Sequence, residues 1–143
     1  SLNLPVVNFK VNAATPEGYE PDKSVVRMAE TVAQQTGASI RIVNDPLAAV
    51  QSVDVLYTDV WASMGQEEEA QLRKKVFKNF QINGDLVKQA KPHALVMHCL
   101  PAHRGEEITE EVLEGAHSVV FAPADNRMPV QKAILIKLLG EKK

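Results

Sequence analysis

The sequence predicts an α/β fold, a Rossmann-like three-layer αβα sandwich around a mostly parallel sheet of about five strands. Two observations carry that expectation. Short apolar runs rich in β-branched residues alternate with longer segments of helical period, as when parallel strands are joined by crossover helices. Capping and breaking residues punctuate the segment ends. At 143 residues the chain has room for one ordinary domain, so residues 1–143 are read as a single unit.

Taken in order, Phe9 to Ala14 reads as a strand, ended by the punctuation of Thr15-Pro16-Glu17-Gly18. Asp22 then caps a helix whose Val25, Val26, Ala29, Val32 and Ala33 fall on one face, closing at Gly37. Ser39 to Val43 is the second strand. Asn44-Asp45-Pro46 sets a cap before a proline at the first helical position, so a short helix is expected from Pro46 to about Gln51. Val53 to Thr58 is the third strand, Asp59 to Gln66 a loop, and Glu67 to Phe77 a helix with acidic residues where the macrodipole favours them. A short helix at Asp85 to Gln89 precedes the strand Ala94 to His98. After the loop Cys99 to Glu106, Thr109 caps a brief helix with Glu110 and Glu111 in its first turn. Ser118 to Phe121 reads as the last strand and Arg127 to Leu139 as the last helix.

Hydrophobic residues at 45% and charged residues at 24% give the balance of a soluble globular protein. A formal charge of -2 without a long basic cluster argues against a nucleic-acid partner. The short run Arg73-Lys74-Lys75 follows Glu67-Glu68-Glu69, a pattern of solvated i,i+4 pairing such as Glu69 with Arg73. Cys99 is the single cysteine and cannot form an internal disulfide, so a cytoplasmic location is expected. No stretch approaches the roughly 20 apolar residues of a membrane span, and the first residues lack the pattern of a secretory signal, so no membrane partner is expected. Neither Gly-x-Gly-x-x-Gly nor a phosphate-cradling Gly-Lys-Ser/Thr occurs, and no cofactor is expected.

In an open parallel sheet, ligands gather at the carboxyl ends of strands. Three polar loops lie there. Asp59-Val60-Trp61-Ala62-Ser63-Met64-Gly65-Gln66 offers a carboxylate, a hydroxyl and free amides before a helix, which suits a zwitterion; Asp59 and Ser63 are equally good helix caps. In His98-Cys99-Leu100-Pro101-Ala102-His103-Arg104-Gly105, a cysteine between two histidines suits a nucleophile with its base, or part of a metal ligand set, or a structural cysteine with hydrogen-bonded histidines. The residue types do not complete a metal site, and none is assigned. In Ala122-Pro123-Ala124-Asp125-Asn126-Arg127 the arginine stands at a helix start, where its planar fork suits a carbamoyl or phosphate oxygen or simply solvent.

Taken together and in this order, Asp59-x-x-x-Ser63-Met64-Gly65, His98-Cys99-Leu100-Pro101 and Asp125-Asn126-Arg127 resemble the ornithine carbamoyltransferases, in their second, ornithine-binding domain. The stretches Ala14 to Tyr19 and Asp54 to Trp61 look the same way, so the resemblance covers nearly all of residues 13–139. It implies the transfer of a carbamoyl group from carbamoyl phosphate to the neutral δ-amine of L-ornithine, giving citrulline and phosphate. By resemblance, Asp59, Ser63 and Met64 hold the α-amino and carboxylate ends of ornithine. Cys99 orients the δ-amine, the Leu100 carbonyl accepts from the carbamoyl NH₂, and Arg127 polarises the carbamoyl oxygen. His98 is a positioning residue. Cys99, Arg127 and Asp59 are thus the expected catalytic residues.

The chain also departs from that family. The first domain, with its Ser-Thr-Arg-Thr-Arg phosphate-binding segment, is absent, so carbamoyl phosphate is a partner only with that domain supplied and the chain alone is expected to be inactive. The second domain's first strand, with its Gly-Asp-x-x-Asn-Asn turn, is absent too, and residues 1–8 match nothing expected there. That strand lies mid-sheet in the family, so its loss leaves unpaired backbone groups on both neighbours. A reordered sheet, a segment from Ser1 to Val7, or a second copy paired across an exposed edge would fill the gap. These departures point to an excised, edited or designed derivative. The competing reading, from a different class, is a non-catalytic α/β module that retains the motifs as inherited sequence. A hydrolase built on Cys99 lacks an identified base.

Overall fold

Two pairs of parallel strands organise the chain. The structure, a computed structural model, describes residues 8–62 and 67–140. Strand β1 (Lys10–Ala14) pairs in parallel with β2 (Ser39–Val43), from Lys10↔Ser39 to Ala14↔Val43. Helix α1 (Lys23–Thr36) makes the crossover. Asp22 accepts from the Ser24 and Val25 amides at its start, and Gly37 ends it in a left-handed conformation with φ 75°, where glycine carries no Cβ penalty. Helix α2 (Pro46–Val50) follows, capped by Asp45 through the Leu47 amide, and the Asn12 amide fastens it to β1 by donating to the Ala49 carbonyl at 2.8 Å.

The second pair is β3 (Val55–Thr58) and β4 (Leu95–His98), in parallel register from Val55↔Leu95 to Thr58↔His98. Their crossover contains α3 (Glu67–Phe77), a 3₁₀ turn at Lys78–Phe80 and α4 (Gly84–Val87), capped by Asn83. Helix α5 (Glu110–Leu113) and the long α6 (Phe121–Leu139) complete the described elements. The main core belongs to the second pair: Leu56, Ile82, Ala94, Val96, Ile108, Val112, Leu113 and Val120 are buried around β3 and β4.

The expected sheet is seen in part, and three expectations need correction. The described residues form four strands, paired in parallel in two separate two-stranded sheets, where one sheet of about five was expected. The segment expected as a fifth strand at Ser118 to Phe121 lies beside β4, with His117 O accepting from Val96 N and Val119 N donating to Val96 O. Only the Val96↔Ser118 bridge forms, and Phe121 already turns into α6. Helix α6 therefore starts six residues before Arg127, absorbs the third loop, and holds Pro129 in its interior, where proline removes a backbone hydrogen bond. Thr109 precedes α5 without a side-chain capping bond, and its hydroxyl is buried without a partner among the described residues.

The apolar stripe of α1 is largely exposed: only Ala33 is buried, while Val25 and Val32 stay more than half exposed. No residue of α6 is buried, although Ile134, Leu135, Ile136, Leu138 and Leu139 are apolar. Helical periodicity reports that a face is apolar but does not say what covers it.

Core substitutions should therefore act unequally. Ile108→Ala is expected to lower the urea-unfolding free energy by roughly 2–5 kcal/mol, because Ile108 is fully buried. Val32→Ala, at a position 56% exposed, is expected to change it by no more than about 0.5 kcal/mol. Equal losses at both positions would show that the α1 face is buried in solution.

Candidate functional site

The register of β3 with β4 decides what meets at their carboxyl ends. Thr58 stands opposite His98, so the next residues, Asp59 and Cys99, leave the sheet side by side. The Cys99 thiol donates to Asp59 Oδ1 at 2.9 Å, and the same oxygen accepts from the Val60 amide at 2.7 Å. Tyr57 lies two residues before Asp59 on the same face of β3, since side chains alternate along a strand. Burial, followed by the neighbouring Cys99 and Asp59, pushes the Tyr57 phenol above its ordinary pKa, and the Arg127 charge pulls weakly the other way. Arg127 stands in the second turn of α6, not in a loop.

Burial, followed by the hydrogen bond to the Asp59 carboxylate, raises the Cys99 pKa. A raised thiol is the opposite of an activated nucleophile. His98 does not serve as its base. His98 Nδ1 is 3.9 Å from Cys99 Sγ but accepts from the Leu100 amide at 2.8 Å. The remaining ring nitrogen, Nε2, must then carry the hydrogen, and it faces Glu107 Oε1 at 3.0 Å. His98 and Glu107 side chains are both fully buried. That bond to Leu100 N holds a backbone with φ 56°, an uncommon state for a residue with a Cβ that persists only where its surroundings enforce it. The Leu100-Pro101 peptide is cis. His103, the second histidine of the motif, turns to Glu107 and is not part of the Cys99 cluster.

The loop after β3 is anchored by aromatic contacts. Trp61 packs near Phe77, Tyr19 meets Phe77 edge to face at 5.0 Å between centroids, and Arg73 donates to the Trp61 carbonyl from above the Tyr19 ring. A cleft of about 1010 Å³ opens beside this anchor, lined by Trp61, Lys74, Lys78, Gln81, Asn83 and Glu106 among others. Asp59 and Cys99 do not line it.

Of the residues expected from the sequence, Asp59, His98, Cys99 and Leu100 come together, while Arg127 is carried by α6. Ser63 and Met64 lie outside the described residues. Two residues went unnoticed in the sequence. Tyr57 carried a usable signal, a strand position two before Asp59. Glu107, in the run Arg104-Gly105-Glu106-Glu107, looks like one more surface acid and carried none.

The comparisons with known proteins bear on the family of the chain. The family model "Aspartate/ornithine carbamoyltransferase, Asp/Orn binding domain" matches residues 2–138, a span that takes in residues 2–8, which the motifs alone left unmatched. Among curated relatives, ornithine carbamoyltransferase of Pyrococcus abyssi is 57% identical over 130 residues, covering 91% of this chain and 41% of the relative. That of Archaeoglobus fulgidus is 52% identical over 140 residues, covering 98% of this chain and 44% of its own length. The solved structure of the Pyrococcus furiosus ornithine carbamoyltransferase superposes with a TM-score of 0.87 at 45% identity, over 96% of this chain and 52% of that one. The anabolic enzyme of Campylobacter jejuni gives 0.88 at 36% identity, over 94% and 45%. The chain spans about two-fifths of the length of the curated relatives it matches.

The site makes a pH-resolved prediction. Iodoacetamide alkylation of Cys99 is expected to titrate at a higher pH than a free cysteine. Asp59→Asn is expected to move that midpoint down by removing the negative charge beside the thiol. A midpoint unmoved by Asp59→Asn would separate the two side chains.

Proposed function

The chain belongs to the aspartate/ornithine carbamoyltransferase family, and on that premise we propose that it supplies the L-ornithine half of a carbamoyl-transfer site. One observation carries the proposal: the β3–β4 register sets the Asp59 carboxylate against the Cys99 thiol at 2.9 Å, where two loops meet. In this reading Asp59 accepts from the α-ammonium of ornithine, with Ser63 and Met64 at the same end. Cys99, kept as a neutral thiol, orients the δ-amine without competing as a nucleophile. The Leu100 carbonyl receives the carbamoyl NH₂, and Arg127 polarises the carbamoyl oxygen. His98 acts through Leu100, which it fastens, and so positions the site.

The reaction asks that two substrates be held in attacking geometry. These 143 residues contain no Ser-Thr-Arg-Thr-Arg segment, so by themselves they bind ornithine without turning it over. The finer architecture belongs to the same proposal. A parallel strand entering between β1 and β3 would join the two sheets into one of about five strands, in a three-layer sandwich with residues 1–143 as one ornithine-binding-type domain. The two separate parallel pairs support this, because each leaves an edge without a ladder partner among the described residues. Pairing of such edges between two copies is the alternative way to satisfy them. A cytoplasmic location accompanies the reading; among the described residues no helix is long and apolar enough to cross a membrane.

The test is an L-ornithine titration of the ¹⁵N-labelled chain, followed by citrulline assay with a carbamoyl-phosphate-binding first domain added in trans. Shifts are expected at the Asp59, Val60, Cys99 and Leu100 amides. Asp59→Asn should weaken binding by roughly tenfold or more, the worth of one charge-assisted hydrogen bond. Citrulline is expected only when the first domain is present. A dispersed spectrum that ignores ornithine would leave a non-catalytic module carrying inherited motifs.

A further inference from the structure

The turn after β4 holds a second group of polar side chains that the proposed ornithine site does not use. His103, Glu106 and Glu107 each offer one ligand atom, and these atoms all lie within 4.8 Å of one another. The turn that carries them is tightly built. Gly105, at φ 83°, donates to the Ile108 carbonyl at 2.9 Å, Glu106 N donates to His103 O at 3.0 Å, and the Gln81 amide clasps the carbonyls of Gly105 and Glu106. The three side chains are therefore presented by a fixed backbone.

A second observation points to a ligand. Glu107 is fully buried, and its Oε1 already accepts from His98 and from the His103 amide at 2.6 Å. Its other oxygen, Oε2, is buried and has no hydrogen-bond partner among the described residues. A buried carboxylate oxygen without a donor is costly, and native structures rarely leave one uncompensated. That oxygen faces His103 Nδ1 at 3.9 Å, too far for a hydrogen bond. Two donors that each sit about 2.0–2.2 Å from one zinc ion fall within roughly 4 Å of each other, so the 3.9 Å between Glu107 Oε2 and His103 Nδ1 suits a shared cation.

We propose that His103, Glu106 and Glu107 bind one divalent cation of the zinc class, on the inner side of the turn that holds Leu100. One imidazole nitrogen and two carboxylates form a mixed N/O donor set that suits Zn²⁺ or Co²⁺. His103 is 51% exposed and Glu106 29%, so the ion enters from solvent while Glu107 Oε2 receives it from within. Lys74 Nζ sits 2.7 Å from Glu106 Oε1 and competes as a monovalent cation for that ligand. The cation neutralises Glu107 and stiffens the His98 to Leu100 connection. The inference does not depend on the ornithine reading, since it uses none of Asp59, Cys99 or Arg127.

The experiment titrates the full 143-residue chain with CoCl₂, reads the visible d–d absorption, and then displaces the metal with ZnCl₂. Saturation at one equivalent is expected. His103→Asn, at a half-exposed position with folding checked by circular dichroism, should weaken binding by about tenfold or more. Lys74→Met should tighten it, and Cys99→Ser should leave it unchanged. Absence of saturable absorption, or affinity unaltered by His103→Asn, overturns the site. Loss of binding in Cys99→Ser places the metal on the thiol and overturns it equally. Unchanged affinity in Lys74→Met removes Glu106 from the ligand set and overturns the three-ligand arrangement.

Discussion

Glu107 holds the carboxyl end of β4 from inside the protein. Its Oε1 accepts from the His98 ring and from the His103 amide, which ties the last residue of the strand to the turn five residues later. Because His98 then presents Nδ1 to the Leu100 amide, the backbone at Leu100 is held in a left-handed state that it would not adopt alone. Cys99 sits between these two fastened residues, so its thiol is aimed at Asp59 by constraints on either side. The geometry of the candidate site thus depends on a buried acid that does not touch Asp59 or Cys99 directly. Such polar networks specify a unique arrangement when satisfied, and breaking one partner exposes the cost of burying the others.

The packing around this network is uneven. The β3–β4 pair lies against Ile82, Ile108, Val112, Leu113 and Val120, while β1, β2 and α1 contribute little to that core. The separation of the two sheets and the exposed apolar faces of α1 and α6 share one physical origin. Each element has the sequence of a buried partner and, among the described residues, lacks the surface it would bury against. The site is spared, because its two main contributors, β3 and β4, are hydrogen-bonded to each other and packed on the same core.

Much of this was legible in the sequence because local rules dominated locally. Asp22 and Gly37 bounded α1, Asp45-Pro46 opened α2, and the β-branched runs placed β1 through β4 to within a residue or two. The motif order drew Asp59, His98, Cys99 and Leu100 into one site before any geometry was known. Periodicity failed where tertiary contacts decide. The 118–121 segment had strand composition but no ladder beyond one bridge, and α6 starts at Phe121, six residues before the expected Arg127. Tyr57 and Glu107 were missed for opposite reasons. Tyr57 was hidden by a β-propensity that needed no functional explanation, and Glu107 by a residue type that is almost always exposed.

The most direct measurement is a two-bond ¹H–¹⁵N correlation spectrum of the histidine rings, which separates the tautomers of His98. The account requires a neutral ring with the proton on Nε2, donating to Glu107, and a bare Nδ1 that accepts from Leu100. A proton on Nδ1, or on both nitrogens, would leave the Leu100 amide without its acceptor. The turn that aims Cys99 at Asp59 would then be held by something else.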